Sequence, residues 1–320
     1  MDTGSHLLLG VSLAGLAYVD PAVAQHPEIA QAVLAGTLIG SVAPDFDTVV
    51  RLKGYSTYIR HHRGVSHSIP ALFLWPVVIV LPLVWINGLS GAWLPLYLWT
   101  FAAVVLHVLL DMLNSYGVQS LRPFSKRWVH LDILAIFEPF LFLLHLAGVV
   151  AWLGFSLEPQ ALFPGVYAIS LVYILIRTIQ HRRLVRLVRY VLGQEGICQV
   201  LPGFHWFRWQ FVLEGEHAFY TGTINRGMIH VGEIYSKVEA NPIIAATTGT
   251  DGVRAFLTFA QRIHVTCMEV QDGYMVRWSD VRFWYDRKLP FGVDVRLDRN
   301  LQVVSCSIGW RKRVWDPPFV

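Results

Sequence analysis

Long apolar runs follow one another through the first 180 residues and do not recur in the remainder of the chain. A helix needs about 20 consecutive apolar residues to span a bilayer. Four runs are long enough, and they cover approximately Ile69–Ile86, Ala92–Leu113, Leu134–Leu153 and Ala161–Ile179. This pattern predicts four clear membrane helices.

Two shorter apolar stretches precede these runs, at about Leu7–Val19 and Ile29–Ala43. Each is marginal as a span, so together they predict either a packed helical hairpin or a re-entrant pair. Ser, Gly and Ala are frequent in both, and small residues let helices approach closely. We therefore expect an α-helical polytopic membrane domain over residues 1–189, with four clear and two short segments.

From about residue 190, apolar and polar positions alternate between turn signals, which is typical of strands. Residues 190–320 are thus predicted to form a small, cytoplasmic, strand-rich α+β domain. Asp251–Gln261 predicts a short helix capped by Asp251. The predicted strands are Trp206–Leu213, Phe219–Asn225, Met228–Tyr235, Ile263–Glu269, Met275–Trp278 and Val303–Trp310. Several aromatic side chains here indicate either sheet core or membrane-facing surface: Trp206, Phe207, Trp209 and Phe211.

The net charge of +4 is better explained by membrane topology than by nucleic acid binding. Loops around residues 20–28, 87–91 and 154–160 contain no Lys or Arg, whereas the intervening loops carry basic clusters, as the positive-inside rule requires. We expect both termini inside, six passes, and the lipid bilayer rather than nucleic acid as partner. The clusters are Arg51, Lys53, Arg60 and Arg63; Arg122, Lys126 and Arg127; and Arg182, Arg183, Arg186 and Arg189.

The membrane half is poor in ionisable groups, and those present at membrane depth usually pair or bind something. His107 and Asp111 lie four residues apart in an apolar helix, so both project from one face. They can grip one metal ion or simply hydrogen bond to each other. Asp45 and Asp47 close the second apolar stretch, where two neighbouring carboxylates repel unless a cation or proton relieves them.

The segment from His61 to His67 places three imidazoles and Arg63 just ahead of a membrane helix. Neutral imidazole is the commonest metal ligand, and Arg63 is suited to an anionic group such as phosphate. A basic loop that touches acidic lipid head groups would explain the arginine but does not require histidine. The third imidazole of this segment is His62.

The expected topology collects these residues, together with His6, on the cytoplasmic side. The candidate metal ligands are therefore His6, Asp45, Asp47, His61, His62, His67, His107 and Asp111. A set of His and Asp without Cys favours zinc or another borderline divalent ion, in one to three copies. His130, Asp132 and Glu138 are candidates for supporting or second-metal groups, and Asn114 for orienting a ligand or substrate.

Several of these motifs together resemble the YfhP/YdjM-like family, over at least the first 140 residues. The matching elements are Met1–His6, Pro44–Asp47, His61–Ser68 and His107–Asp111. Members are described as inner-membrane-associated, metal-dependent hydrolases, some of them as LexA-binding. The resemblance implies a metal-dependent hydrolase in the bacterial cytoplasmic (inner) membrane.

The order of ligands is also similar to part of that in zinc-dependent phospholipase C and the related single-strand nucleases. Those enzymes add a later His and a second His-x-x-x-Glu pair, and no such pair follows Asp111 here. They also use a processed amino terminus, for which this sequence shows no clear equivalent. The departure puts a third metal ion in doubt.

The sequence thus favours hydrolysis of a phosphoester, with a lipid-derived one suggested by a site at head-group level. Metal-activated water would attack, and the candidate catalytic groups are Asp45, Asp47 and Arg63. Two rivals stay open: a regulatory or scaffold protein with a structural metal, whose residues 190–320 bind a protein partner, and an ion- or proton-coupled transporter. Transporters usually place such groups near the bilayer midplane.

Overall fold

The computed structural model describes residues 1–237 and 241–311. Residues 1–192 form helices joined by loops and 3₁₀ turns, of which the loop over residues 114–138 is the longest, and the strands all follow them. The 3₁₀ turns are Ala17–Val19, Ala43–Lys53, Val65–His67 and Ser90–Ala92. The α-helices are α1 (Thr3–Leu16), α2 (Pro21–Ala24), α3 (Pro27–Gly40), α4 (Tyr55–His61), α5 (Ile69–Asn87), α6 (Trp93–Leu113), α7 (Pro139–Phe155) and α8 (Pro159–Leu192).

Three helical segments of the described chain are long and apolar enough to cross a membrane: Ile69–Asn87, Ser90–Leu113 and Pro159–Leu192. A fourth is obtained if α3 and Ala43–Lys53, which meet at a 42° bend, form one span. The helical membrane region expected from the sequence is confirmed. Its six passes stay a prediction, because Thr3–Val19 and Pro139–Phe155 are shorter apolar helices.

The predicted membrane segment Leu134–Leu153 begins too early. The Leu134 amide instead bonds to the Leu113 carbonyl at the end of α6, and the Glu138 carboxylate accepts the Ala135 amide. Pro139 then occupies the first turn of α7, a position where the missing amide costs nothing. The preceding apolar residues therefore belong to a loop folded against α6.

Small residues allow the helices of the membrane region to pack closely. A Cβ added at Gly36 or Gly40 of α3 would lie 2.4 or 3.1 Å from atoms of Thr100 in α6. One added at Gly15 of α1 would lie 2.1 Å from the Phe163 ring of α8. Contact at these glycines is the small-residue packing typical of membrane helices.

The remaining described chain forms two four-stranded antiparallel sheets, each with its strands in sequence order. The strand-rich α+β fold predicted for this part is confirmed. The first sheet contains β1 (Ile197–Pro202), β2 (Arg208–Glu214), β3 (Ala218–Asn225) and β4 (Met228–Ser236). Two helices follow, α9 (Pro242–Thr247) and α10 (Asp251–Phe259), and then β5 (Ile263–Val270), β6 (Gly273–Asp280), β7 (Phe291–Asp298) and β8 (Val303–Trp310).

Strands β1 and β7 were missed by the sequence pattern. Asp294 and Arg296 interrupt the apolar run of β7, yet Asp294 is satisfied by Arg277 of β6 and by Arg311. The predicted cap of α10 is also wrong. The Thr250 hydroxyl, rather than Asp251, accepts the Val253 amide, so Asp251 is the first helical residue.

Contacts divide the chain into two compact units. The first contains residues 1–47 and 63–181, and the second contains residues 48–62 and those from 182 onward. Within the second unit, α4 packs against α10 and β8, with Arg60 Nη2 2.6 Å from Asp251 Oδ1. That hydrogen bond lowers the pKa of the Asp251 carboxyl.

Candidate metal centre

Four predicted ligands meet within the first unit. Asp45 lies in the 3₁₀ segment after α3, His67 ends the turn before α5, and His107 and Asp111 share one face of α6. One ligand atom from each of the four lies within 4.8 Å of the other three. Residues distant in sequence therefore converge on a single point, as expected for a metal site.

The distances between these ligand atoms suit four-coordinate metal binding. His107 Nε2 lies 3.3 Å from His67 Nε2, 3.7 Å from Asp45 Oδ1 and 3.7 Å from Asp111 Oδ2. His67 Nε2 lies 3.6 Å from each of the same two oxygens. A tetrahedral ion with bonds of about 2.0–2.1 Å separates its ligands by about 3.3 Å.

Hydrogen bonds at the other ring nitrogens fix which atoms face the centre. His107 Nδ1 lies 2.7 Å from the Ser41 carbonyl, so it carries a proton and donates it. His67 Nδ1 lies 2.9 Å from Ser66 Oγ, whose own proton goes to Asp47. Burial lowers the pKa of His67 to about 4, which favours the neutral ring. Both Nε2 atoms therefore present lone pairs.

Two lone pairs thus face two carboxylate oxygens, with no proton between them. Acceptors at such separations repel one another unless a cation lies among them. The buried atoms Asp45 Oδ1 and Asp111 Oδ2 make no hydrogen bond among the described residues. Arg63 Nη2 offers a charge contact to Asp111 Oδ2 at 3.1 Å, which leaves Asp45 Oδ1 as the unsatisfied oxygen. Since buried polar atoms are nearly always satisfied, this oxygen fits a site built for a positive ion.

Asp111 is surrounded by further nitrogen atoms. His6 Nε2 lies 3.4 Å from Asp111 Oδ1, and the His6 ring stacks on His107 with centroids 3.9 Å apart. The same oxygen accepts from the amide of Asn114 and contacts the amino nitrogen of Met1. The sequence analysis assigned no role to Met1, because its side chain is neither ionisable nor one of the predicted ligand types.

Asp47 and Arg63 border the group. Asp47 Oδ2 accepts from the Arg63 backbone amide and from the Ser66 hydroxyl. Arg63 Nη2 lies 3.1 Å from Asp111 Oδ2, and Nη1 lies 3.4 Å from the Gly117 carbonyl. Ser66 was not singled out from the sequence, since a serine beside a histidine is a common pair.

The remaining candidates are not members of the four-ligand group. His61 is exposed on α4, where its Nδ1 meets the Thr57 carbonyl, and His62 stacks on Tyr58. Both belong to the second unit. His130 Nδ1 lies 3.0 Å from the carboxylate of Asp132, while Glu138 contacts the Tyr173 hydroxyl and the Ala135 amide. These three residues are outside the four-ligand group.

Comparison with known proteins places this centre in a family context. Residues 1–184 match the family described as YdjM inner membrane protein. The chain belongs to that YdjM family. Residues 242–314 match the YfhP C-terminal alpha/beta plait domain. All four grouped ligands lie within the YdjM match.

A curated relative of this YdjM-family chain is the uncharacterized protein YfhP of Bacillus subtilis (strain 168). The two are 36% identical over 313 residues, which is 97% of this chain and 95% of the relative. No solved structure matches the chain. Family membership and the apolar helices together establish a membrane protein whose buried His/Asp group is compatible with a metal ion.

Proposed function

We propose that this protein is a membrane-bound, metal-dependent hydrolase that acts on a phosphoester. The observation that carries the proposal is the convergence of four unprotonated acceptor atoms from three separate segments of the first unit. One of them, Asp45, has a side chain that is 21% exposed, while the other three side chains are fully buried. Asp45 is therefore the member of the group that lies nearest to solvent.

The donor set favours zinc. Two imidazole nitrogens and two carboxylate oxygens suit zinc or another borderline divalent ion, and no thiolate takes part. The group accounts for one ion, with His6 as a further donor close by.

A water that joined the four protein ligands as a fifth would have its pKa lowered by the ion and would supply hydroxide at neutral pH. Asp47 is placed to take the proton of the attacking water, because its carboxylate lies within 4.8 Å of that of Asp45. Its Oδ2 is held by two hydrogen bonds, which fixes the orientation of the carboxylate. We assign Asp45 as a ligand and Asp47 as general base.

Arg63 would supply positive charge to the phosphoryl oxygens. Its guanidinium is mostly buried and lies against Asp111, so it is already positioned at the centre. Guanidinium groups bind phosphate through paired hydrogen bonds that a lysine cannot reproduce. Arg63→Lys should therefore raise KM or lower kcat without removing the metal.

The surroundings of the group support a lipid-derived substrate. Phe46, between the two acidic residues, is 52% exposed, and Val65, next to Ser66, is 63% exposed. Phe46 packs on Trp75 of α5, whose indole nitrogen donates to the Ser66 carbonyl. Apolar side chains beside a polar centre suit a substrate that has both a phosphate and an acyl or alkyl part.

The decisive experiment is hydrolysis of generic phosphoesters by the purified full chain in detergent. We expect turnover that a chelator abolishes and added zinc restores, and that is lost in His107→Ala. His61→Ala is the matched control and should keep both metal and activity, because His61 is exposed and outside the group. Equal turnover by wild type and His107→Ala would show that the activity arises elsewhere.

The deep burial of three ligands favours a second function, in which the ion only holds α6 and the preceding turns together. A scaffold of this kind would bind metal and lose thermal stability without it. It would hydrolyse none of the esters, phosphodiesters and lipid phosphates tested. If the purified chain binds metal stoichiometrically but hydrolyses none of these compounds, the scaffold function is supported and the hydrolase function is contradicted.

A further inference from the structure

The end of the first sheet carries an exposed aromatic surface that the metal centre does not use. We call it the aromatic turn surface, and we propose that it inserts into the head-group region of an anionic lipid bilayer. It comprises the β1–β2 loop and the β3–β4 turn. Its members are Phe204, Trp206, Phe207 and Met228, with Arg208 and Arg226 beside them.

These apolar side chains are exposed although the strands behind them are well packed. Phe204 is 65% exposed, Phe207 56% and Met228 60%. Trp209 and Ile224, which lie next along the same strands, are fully buried. The core of the first sheet is therefore well packed without the turn residues, and their side chains stay exposed.

The two turns are held together as one rigid element. The Arg226 amide donates to the Phe207 carbonyl, and the Gly203 amide donates to the Arg208 carbonyl. Arg226 and Gly227 have φ angles of 51° and 84°, the left-handed pair of a tight hairpin turn. Exposure of the aromatic side chains is thus a built feature of the fold.

Charge at this end of the sheet has one sign. Arg208 and Arg226 are exposed, and neither turn contains Asp or Glu. Aromatic rings with nearby cations are the composition that concentrates at the level of lipid head groups. Each cation near an anionic membrane surface adds electrostatic attraction.

The last turns of α8 pack on the first sheet close to the aromatic turn surface. Within the second unit, Leu184 and Val188 of α8 share one hydrophobic cluster with Trp209 and Ile224, which lie next to the two turns along their strands. In the sequence, the apolar run of α8 ends at Ile179, and Arg182 and Arg183 follow it within four residues.

The outer face of this part of α8 is basic. Arg182, Arg183, Arg186 and Arg189 are all exposed, while Leu184 and Val188 face the sheet. These arginines and those of the two turns give this part of the second unit a positive charge. A bilayer with anionic lipids matches both the apolar and the cationic part of the surface.

Nitroxide accessibility in proteoliposomes tests this directly. The full chain is used with Cys198, Cys267 and Cys306 replaced by serine, and one label is attached at Phe207→Cys or Met228→Cys. Val304→Cys is the matched control, since Val304 is 60% exposed on the other sheet. In vesicles that contain phosphatidylglycerol, labels at 207 and 228 should be more accessible to oxygen than to a nickel chelate. The label at 304 should be more accessible to the nickel chelate than to oxygen.

The outcomes separate the alternatives. Equal nickel accessibility at all three positions would overturn the proposal, and so would shielding of 207 and 228 from both reagents, which indicates a covering protein. Arg208→Glu combined with Arg226→Glu should shift the labels at 207 and 228 toward water. If that pair of changes has no effect, the assignment of anionic lipid is wrong.

Discussion

Spacing along α6 made His107 and Asp111 predictable, because residues four apart must share a helix face. The choice between Asp45 and Asp47 was not predictable. They lie in a 3₁₀ segment, where neighbouring side chains point in directions that local sequence does not define. In the structure the Asp45 carboxylate lies beside the imidazoles, whereas Asp47 accepts hydrogen bonds from the Ser66 hydroxyl and the Arg63 amide. Such supporting contacts depend on tertiary packing, so a sequence motif does not predict them.

Ser66 provides a test at the residue scale. Its hydroxyl links Asp47 to His67 Nδ1, which keeps the His67 Nε2 lone pair aimed at the centre. Removing an outer-shell partner of this kind typically costs 10–100-fold in metal affinity. We expect such a loss in Ser66→Ala, measured by competition with a chromophoric zinc chelator. Ser68→Ala is the control, since within the described part of the chain the Ser68 hydroxyl bonds to the Val65 carbonyl alone, and an equal loss there would contradict the assigned role.

Hydrophobic run length identified the membrane elements but not their ends. The run at Leu134–Leu153 is continuous in sequence, yet the chain folds its first residues against α6 and starts the helix at Pro139. Backbone hydrogen bonds to α6 determine where α7 begins, and the hydrophobic pattern of the sequence does not predict those bonds. Strands with clear alternation and a tight turn, such as β3 and β4, were found almost to the residue.

Close contact between α1 and α8 gives a test at the element scale. A methyl group at Gly15 would overlap the Phe163 ring, whereas one at Gly165 would meet nothing within 4 Å. Overpacking of this kind costs about 1–3 kcal/mol. Gly15→Ala should therefore lower the midpoint of thermal unfolding in detergent by several degrees, and Gly165→Ala should leave it unchanged or raise it. Equal midpoints would show that the two helices are not in contact.

The basic loops predict the topology of the molecule, and that topology would determine which compartment the metal centre serves. In the predicted arrangement, with the amino terminus inside and six passes, residues 154–160 would lie outside the cell and residues 121–127 would lie inside. Glu158 in the first loop and Lys126 in the second are exposed, which makes both positions suitable for labelling. The same orientation would keep the carboxyl-terminal sheets in the cytoplasm.

Labelling of intact cells tests that orientation. In a cysteine-free background, Glu158→Cys should react with a membrane-impermeant maleimide, and Lys126→Cys should react only after permeabilisation. The positive-inside rule is the physical reason, because Arg122, Lys126 and Arg127 resist translocation. The reverse pattern would place the metal centre on the outer face and would exclude a cytoplasmic substrate.

X-ray absorption at the edge of the bound metal, on the purified full chain, tests the central claim most directly. The account predicts one ion with nitrogen and oxygen ligands at about 2.0–2.2 Å, imidazole scattering and no sulfur. In His107→Ala the imidazole scattering should fall or the metal should be lost. A chain purified without metal that fails to take up zinc, or a spectrum identical in wild type and His107→Ala, would contradict it.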